Sequence, residues 1–422
     1  MSQEAFDVRG LISPPFWACP RCEKAAFGVS WIDDRGYDRR CRECWFKKHY
    51  RLPELNKKIV YLDQFVVSEL MKLRNTKHPS HHAVSQQPFW RDLDVILRQL
   101  KDAQLVCCPH SHQHEKESTL ADDHLALKKT YDDLSSGTSF KNPNEIRIQQ
   151  ITEAVKAWVR GQSVHFDFHA ADVVNGNPNA WKKRFYITFN PNPFLLRNEL
   201  EQERMFLHSR MVEVFEERRT SEIRDFAHWF ELEKRSFRDE IEKDWLAIRR
   251  GPFAPGAAFD VLPRRIMATI AHVIEGVLYA QAGDDVTEEK YTAIQAEATR
   301  STIDFLKSEA LQELPFSKIE GLLWASLTYQ LQFGGRKAPP NAGMLTDVDA
   351  VGTLLPYCDA MFMDNELRAL LTSVPAKFKI KETSRVFSMS CKEHFLSYLR
   401  DLLAQASPEH MAKVREVYGE KG

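Results

Sequence analysis

The chain has 422 residues, 43% of them apolar and 28% charged, and its 58 Lys+Arg against 59 Asp+Glu leave a formal net charge of −1. That balance argues against a fibrous, disordered or membrane-spanning chain, and a polyanion would have to be gripped by local patches rather than by a global field. The length predicts two or three structural units, and because no apolar run approaches a membrane helix and no signal-peptide core is visible, a cytoplasmic protein without membrane contact is expected.

Residues 1–52 are rich in Cys, Arg and aromatic side chains and read as a small module. Cys19-Pro-Arg-Cys22 and Cys41-Arg-Glu-Cys44, with eighteen residues between the pairs, follow the spacing of structural zinc sites. A two-residue spacer lets both thiolates of one turn face a tetrahedral ion, and the second turn supplies the other two ligands. Such a site is closed, so the zinc would stabilise folding rather than carry out chemistry. The remaining cysteines (Cys107, Cys108, Cys358, Cys391) sit in apolar contexts as buried thiols, not as a disulfide framework. Around the pairs, Arg35, Arg39, Arg40, Arg42, Lys47, Lys48 and Arg51 interleave with Trp31, Tyr37, Trp45, Phe46 and Tyr50. Two readings stay open: cations and stacking rings for nucleic acid, or a small aromatic core with solvated charges.

From residue 57 the pattern changes. The β-branched run Ile59-Val60-Tyr61-Leu62 ends at Asp63 and passes into a helical pattern, a strand feeding a helix. A helix over Phe89 to Leu100, an apolar strand over 104–108, Pro109 and a new helix repeat the arrangement, and alternating strands and helices imply a parallel sheet. Residues 136–335 are mainly helical, with a loop-rich interval around a short strand at 184–189. Within them Met211, Phe215, Ile223, Phe226, Phe230, Phe237, Ile241, Trp245 and Ile248 recur at helical spacing, predicting one long amphipathic helix or a helical pair. After Gly334-Gly335 and Pro339-Pro340 the α/β character returns: a helix from Asp347, strands at 360–363, 377–380 and near Val386-Phe387, and a helix from His394 to Leu403. The units are therefore a module over 1–52, an α/β body over 57–135 and 336–422, and a helical insertion over 136–335.

Holding divalent metal beside a phosphodiester requires carboxylates brought together, and in parallel sheets such groups gather at the carboxyl ends of the strands. Asp63, Glu115, Glu117, Asp347 and Asp364 fall at such places. Taken singly, Asp63 and Asp347 also suit ordinary helix caps.

Three segments, YLDQFVVSEL (61–70), PHSHQHEKES (109–118) with its S-x-x-H-x-x-E-S spacing, and TDVDAVGTLLPYCDAMFMDNEL (346–367), resemble the motifs of PIN-like ribonuclease domains. The resemblance covers about a third of the chain and departs from a compact PIN domain in its long insertion. It implies a PIN-like parallel sheet flanked by helices and a site of Asp63, Glu117, Asp347 and Asp364 holding Mg²⁺ or Mn²⁺. The second acidic position stays open between Glu115 and Glu117, with the motif spacing favouring Glu117. Asp349 is a second choice to Asp347, and Asp359 reads as a helix-end or strand-start residue. The implied activity is endonucleolytic hydrolysis, of RNA rather than DNA, leaving a 5′-phosphate, in RNA processing, toxin action or antiviral defence. The insertion would gate or extend the groove, or mediate self-association into a homo-oligomer. A non-catalytic nucleic-acid-binding or scaffold protein is the competing reading.

Other signals are weaker. His114 would support the acidic site while His110 and His112 are exposed, and Asn365 and Ser388 would contact phosphate. Lys182-Lys183-Arg184, Arg249-Arg250, Arg264-Arg265 and Arg336-Lys337 are groove candidates or solvated faces. No phosphate-binding glycine-rich signature is present.

Overall fold

The computed structural model describes residues 7–181, 193–250, 262–283, 286–372, 374–375, 378 and 384–419. The strand expected at 184–189 lies outside them, as does that at 377–380 apart from Phe378. In chain order, β1 (Ser13–Ala18), β2 (Ala25–Ile32), β3 (Gly36–Cys41) and β4 (Lys47–Arg51) precede β5 (Lys58–Leu62), α1 (Gln64–Arg74), α2 (His81–Ser85), α3 (Pro88–Asp102), β6 (Val106–Cys107), α4 (His112–Leu120) and α5 (His124–Ser135). There follow β7 (Ser139–Phe140), α6 (Pro143–Val159), α7 (Ala170–Val173), β8 (Val174–Asn175), α8 (Pro193–Thr220), α9 (Phe226–Arg250), α10 (Leu262–Ala282), α11 (Glu288–Lys307), α12 (Glu309–Gln312) and α13 (Pro315–Gln332). The chain then runs through α14 (Met344–Leu354), β9 (Ala360–Phe362), α15 (Asn365–Thr372), β10 (Arg385–Phe387), α16 (Lys392–Ala404) and α17 (Pro408–Tyr418). No helix among the described residues is long and apolar enough to cross a membrane.

The central sheet is parallel, in the order β10-β9-β5-β6. Strand period puts alternate residues on opposite faces. Ile59, Tyr61, Met361 and Met363 accordingly pack with the apolar residues of α13 and α14, whereas Val60, Leu62, Ala360 and Phe362 pack with those of α1, α3 and α16. Both faces are covered, which explains why these strands read as continuous apolar runs. The register is set by Val60 opposite Ala360 and Leu62 opposite Phe362. Asp359 bridges the strand starts: its carboxylate accepts from Ile59 N at 2.8 Å and from Lys58 Nζ at 2.8 Å, the strand-start role expected of it.

The amphipathic run over 211–248 is a helical pair, α8 and α9, broken between Thr220 and Phe226. A separate helical core joins α6, α9, α10, α11 and α12 through Ile151, Ile241, Ile270, Phe305 and Leu311. The apolar core against the sheet, however, runs continuously into Phe140, Ile146, Phe226, Trp229 and the length of α13. Gly352 in α14 is one reason α14 lies so close to α13: a Cβ there would stand 2.4 Å from Cγ of Glu320.

Three expectations need correction. Of residues 104–108 only Val106 and Cys107 pair as strand, because Gln104 takes positive φ (57°) immediately before. The helix expected from Asp347 begins at Met344, so Asp347 lies in its first turn and is not its N-cap, a place held by Gly343. A further helix, α17, follows the expected last one; Ser407 caps it by accepting from His410 N, and Pro408 occupies its first turn.

The antiparallel sheet β1-β2-β3-β4 forms the N-terminal module, and α17 packs against it. Tyr37, Val29, Leu52, Trp181, Val414 and Val417 share one small core.

Candidate metal centres

The four module cysteines come from two turns. Cys19 and Cys22 lie in the turn after β1, while Cys41 ends β3 and Cys44 lies in the turn before β4. Their sulfurs all lie within 4.8 Å of one another, with Cys19 Sγ to Cys44 Sγ at 3.5 Å and Cys22 Sγ to Cys41 Sγ at 3.6 Å. A tetrahedral ion with Zn–S bonds of about 2.3 Å needs sulfurs about 3.8 Å apart, so the cluster fits zinc with little adjustment. Arg21 N donates to Cys19 Sγ and Glu43 N to Cys41 Sγ, each at 3.4 Å, an arrangement that favours thiolates. Although burial opposes it, the amides of Arg21 and Cys22 and the neighbouring thiols of Cys44 and Cys41 bring Cys19 down to about 7. Cys22 is pushed up to about 12 despite the Lys24 amide, because burial and the other three sulfurs outweigh it. Four clustered thiols cannot all ionise without a cation between them.

The module divides the cationic and aromatic residues into two groups. Arg39 is fully buried, donates to the carbonyls of Pro15, Phe27 and Glu416 at 2.7, 2.9 and 2.6 Å, and lies 3.3 Å from the Trp17 ring centre. Arg42 donates to the Ile12 carbonyl and covers Phe16, and Tyr37 is buried with its hydroxyl on Glu416. Lys47 is exposed yet paired with Asp38 at 2.8 Å. Trp31, Arg35, Trp45, Lys48 and Arg51 remain on the surface, with Arg40 over the Trp45 ring.

The second centre lies at the carboxyl ends of β5 and β9. Starting from β5, the chain moves outward to β6 on one side and to β9 and β10 on the other, so the connections diverge between β5 and β9. Ligands in open parallel sheets bind at such a switch point. Asp63 follows Leu62 there and caps α1, its Oδ1 accepting from Phe65 N at 3.3 Å. Asp364 follows Met363 and accepts from Leu367 N at 2.6 Å, capping α15. Glu117 on α4 and Asp347 on α14 approach from the helices.

Asp63 and Asp347 feel the charge of the other carboxylates most. Asp63 is pushed up to about 7, first by burial and then by the charges of Glu117 and Asp364. Asp347 is pushed up to about 9 by burial and by Asp63, Glu117 and Asp364. Burial raises Glu117 to about 7 against the attraction of Arg204, and raises Asp364 against the amide of Leu367. No three of them bring oxygens within 4.8 Å of one another, as the sulfurs do.

Glu115, the alternative to Glu117, faces elsewhere. His110 Nε2 lies 3.0 Å from its Oε1 and His112 Nδ1 3.9 Å from its Oε2, and these bonds hold its carboxyl down at about 2. His110 is therefore not the exposed residue expected: its side chain is only 13% exposed because it folds back onto the first turn of α4. His114 is buried between the rings of Tyr61 and Tyr131, with centroids 5.1 and 4.8 Å away. Its Nδ1 accepts from Ser111 N at 3.1 Å, and burial drives its pKa down to about 3, so it is a neutral wall beneath the acidic cluster.

Asp349 belongs to a different network. Arg147 on α6 pairs with Asp349 and, at 2.7 Å, with Glu320, while Gln113 on α4 donates to Asp349 at 2.5 Å. Ser388 is buried and shares a hydrogen bond with Ser390 at 2.9 Å, and Asn365 accepts from Ser390 N at 2.9 Å, so both are tied into the β10–α16 connection. Arg336 pairs with Glu366 across the start of α15. The basic residues Lys182, Lys183 and Arg184 lie outside the described residues, and the side chains of Arg249, Arg250 and Arg264 are likewise not described.

Sequence reasoning missed Arg147 and Arg204, one cation among many on charged helices, with no local signal to distinguish either. No protein-family model, no curated protein and no solved structure matches the chain.

Proposed function

We propose that this protein is a divalent-metal-dependent endonuclease of PIN-like type, acting on RNA in preference to DNA, with a zinc-ribbon-like module beside the nuclease body. The observation that carries this reading is the gathering of Asp63, Glu117, Asp347 and Asp364 at the switch point of a parallel sheet, where Asp63 and Asp347 feel the charge of the others. Half-buried carboxylates gathered so that their charges raise the pKa of Asp63 and Asp347 destabilise the fold, and a cation is their natural complement. Mg²⁺ or Mn²⁺ bound there supplies positive charge to the scissile phosphate and a route to a nucleophile at neutral pH. Asp63 and Asp364, held by the caps they make on α1 and α15, orient that charge from the sheet. Glu117 and Asp347 close the opposite side from the helices. In the module, Cys19, Cys22, Cys41 and Cys44 hold a structural Zn²⁺, distinct from the acidic centre.

A competing reading, a non-catalytic nucleic-acid-binding protein, draws on exposed Trp31 and Trp45, with Arg40 over the Trp45 ring and Lys48 over Tyr50. Cleavage of labelled single-stranded RNA and DNA with Mn²⁺ separates the two. The nuclease reading requires wild-type cleavage that is lost in Asp63→Asn and Asp364→Asn. It fails if no substrate is cut, or if both variants cut as wild type does.

A further inference from the structure

A cleft opens between α4, α8 and α14, directly beside the acidic cluster. Lys116 and Glu117 of α4 form one wall, Leu200, Arg204 and Leu207 of α8 another, and Gly343 at the start of α14 lies on its floor. Positions 200, 204 and 207 share one face of α8, four and three residues apart. This face of the insertion therefore reaches over the α4 helix that carries Glu117. Arg204 and Glu117 line this cleft together. Among the described residues, neither Lys116 nor Arg204 has a carboxylate within ion-pair distance, in contrast to Arg197 on the same helix, which pairs with Glu201 at 3.3 Å. Gly343 keeps the floor low: a Cβ there would stand 3.2 Å from Asn341 Oδ1 and 3.8 Å from Asp347 Oδ2.

Two cations and two leucines lining one cleft match a phosphate followed by an apolar ring face. A base inside a duplex is stacked and cannot lie against leucine side chains, whereas an unstacked base in a single strand can. We propose that this cleft is the subsite for the nucleotide flanking the scissile phosphate of a single-stranded nucleic acid, with Lys116 and Arg204 on its phosphate and Leu200 and Leu207 against its base. The inference rests on the nuclease reading for what happens next door, and it gives the helical insertion a defined role, in which α8 completes the substrate groove.

The test is fluorescence anisotropy with labelled oligouridylate and oligothymidylate of equal length, in Ca²⁺ to suppress turnover, over a series of salt concentrations. Removing one cation from the phosphate lowers the slope of log affinity against log salt by about one. Arg204→Gln and Lys116→Gln should each weaken binding about five- to tenfold and lower that slope, Arg204→Lys should restore the slope, and Leu207→Asp should weaken binding. Arg204 is exposed on its helix and Gln is a good helix former, so thermal melting of Arg204→Gln should match wild type. Loss on both oligonucleotides supports contacts to phosphate and base, whereas loss on the RNA only would place the two cations on ribose and overturn the phosphate assignment. Wild-type affinity and slope in both cation variants would overturn it. Wild-type protein that binds through these residues but does not cut sinks the nuclease reading and leaves the cleft as a single-strand-binding site with no scissile phosphate beside it.

Discussion

The main-chain N–H of Asp63 donates to the carbonyl of Phe362 at 3.0 Å, extending the β5–β9 ladder one step past the strand ends. In this register, with Leu62 opposite Phe362, Asp63 comes level with Met363, one residue before Asp364. Two helix caps from opposite ends of the chain are thereby placed side by side, and Glu117 and Asp347 are close enough to add their charge.

Glu115 and Glu117 are two residues apart on α4 but should behave differently. Glu117→Gln is expected to lower Mn²⁺-dependent cleavage about a hundredfold or more, the scale of losing part of a metal's charge stabilisation. Glu115→Gln, which only frees His110 and His112, should retain cleavage within a few-fold. Steady-state rates on labelled RNA decide it, and equal losses would show that Glu117 has no special place in the site.

The acidic cluster makes metal-free stability depend on pH. Asp63 and Asp347 rise from 3.8 in the unfolded chain to about 7 and about 9 in the fold, so the folded state binds more protons across that interval. Stability is therefore full below pH 4 as far as these groups are concerned, and it falls as pH rises from about 4 through 7 and on toward 9. Asp347→Asn should stabilise the metal-free protein at pH 8 by on the order of 1–3 kcal/mol and flatten the profile. Chemical denaturation at pH 5 and pH 8 measures both effects, and a variant no more stable than wild type at pH 8 contradicts them.

The cysteine cluster should hold a single zinc ion, detectable by elemental analysis of the purified protein. Cys41→Ser should lose it and destabilise the module by on the order of several kcal/mol. Because Tyr37 and Arg39 hold Glu416 of α17, loss of zinc should also expose the C-terminal helix to limited proteolysis. Full protection of α17 in the zinc-free variant would show that the two are uncoupled.

Arg147 is the buried cation of a network that joins α6, α13, α14 and, through Gln113, α4. Arg147→Leu leaves Glu320 and Asp349 without their cation and should cost about 3–5 kcal/mol. Asp349 and Asp347 share a turn of α14, and Gln113 and Glu117 share α4. Arg147→Lys, assayed under conditions where it stays folded, should therefore still lower cleavage by shifting Asp347 against Glu117. Unfolding curves and rates together separate the two effects, and a folded Arg147→Lys that cuts at the wild-type rate would refute the positioning role.

Local pattern made much of the architecture legible. Ile59 to Leu62 and Ala360 to Phe362 are continuous apolar runs because both sheet faces are covered, and the tetracysteine spacing alone marks the two turns that bring the sulfurs together. The break between α8 and α9 was left open because apolar periodicity continues across it. Helix α17 was missed although Ser407-Pro408 is a start signal, because its apolar face is short and its partner, the module, lies at the other end of the chain. Arg39 and Tyr37 fit either a nucleic-acid surface or a small core in the sequence for the same reason: nothing local shows that Glu416 comes to meet them.

By itself the sequence determined the cysteine ligand set, the strand and helix types, and the acidic residues that end the strands, all properties of spacing and period within a few turns of chain. Only the tertiary structure decided which charges meet. It turned Glu115 toward two histidines and Glu117 toward Asp63 and Asp347, consumed Asp349 in an ion network, and laid Arg204 of the insertion beside α4. Those outcomes depend on burial and on contacts between residues far apart in the chain, where the electrostatic energy of a carboxylate is set by its neighbours in space and not by its neighbours in sequence.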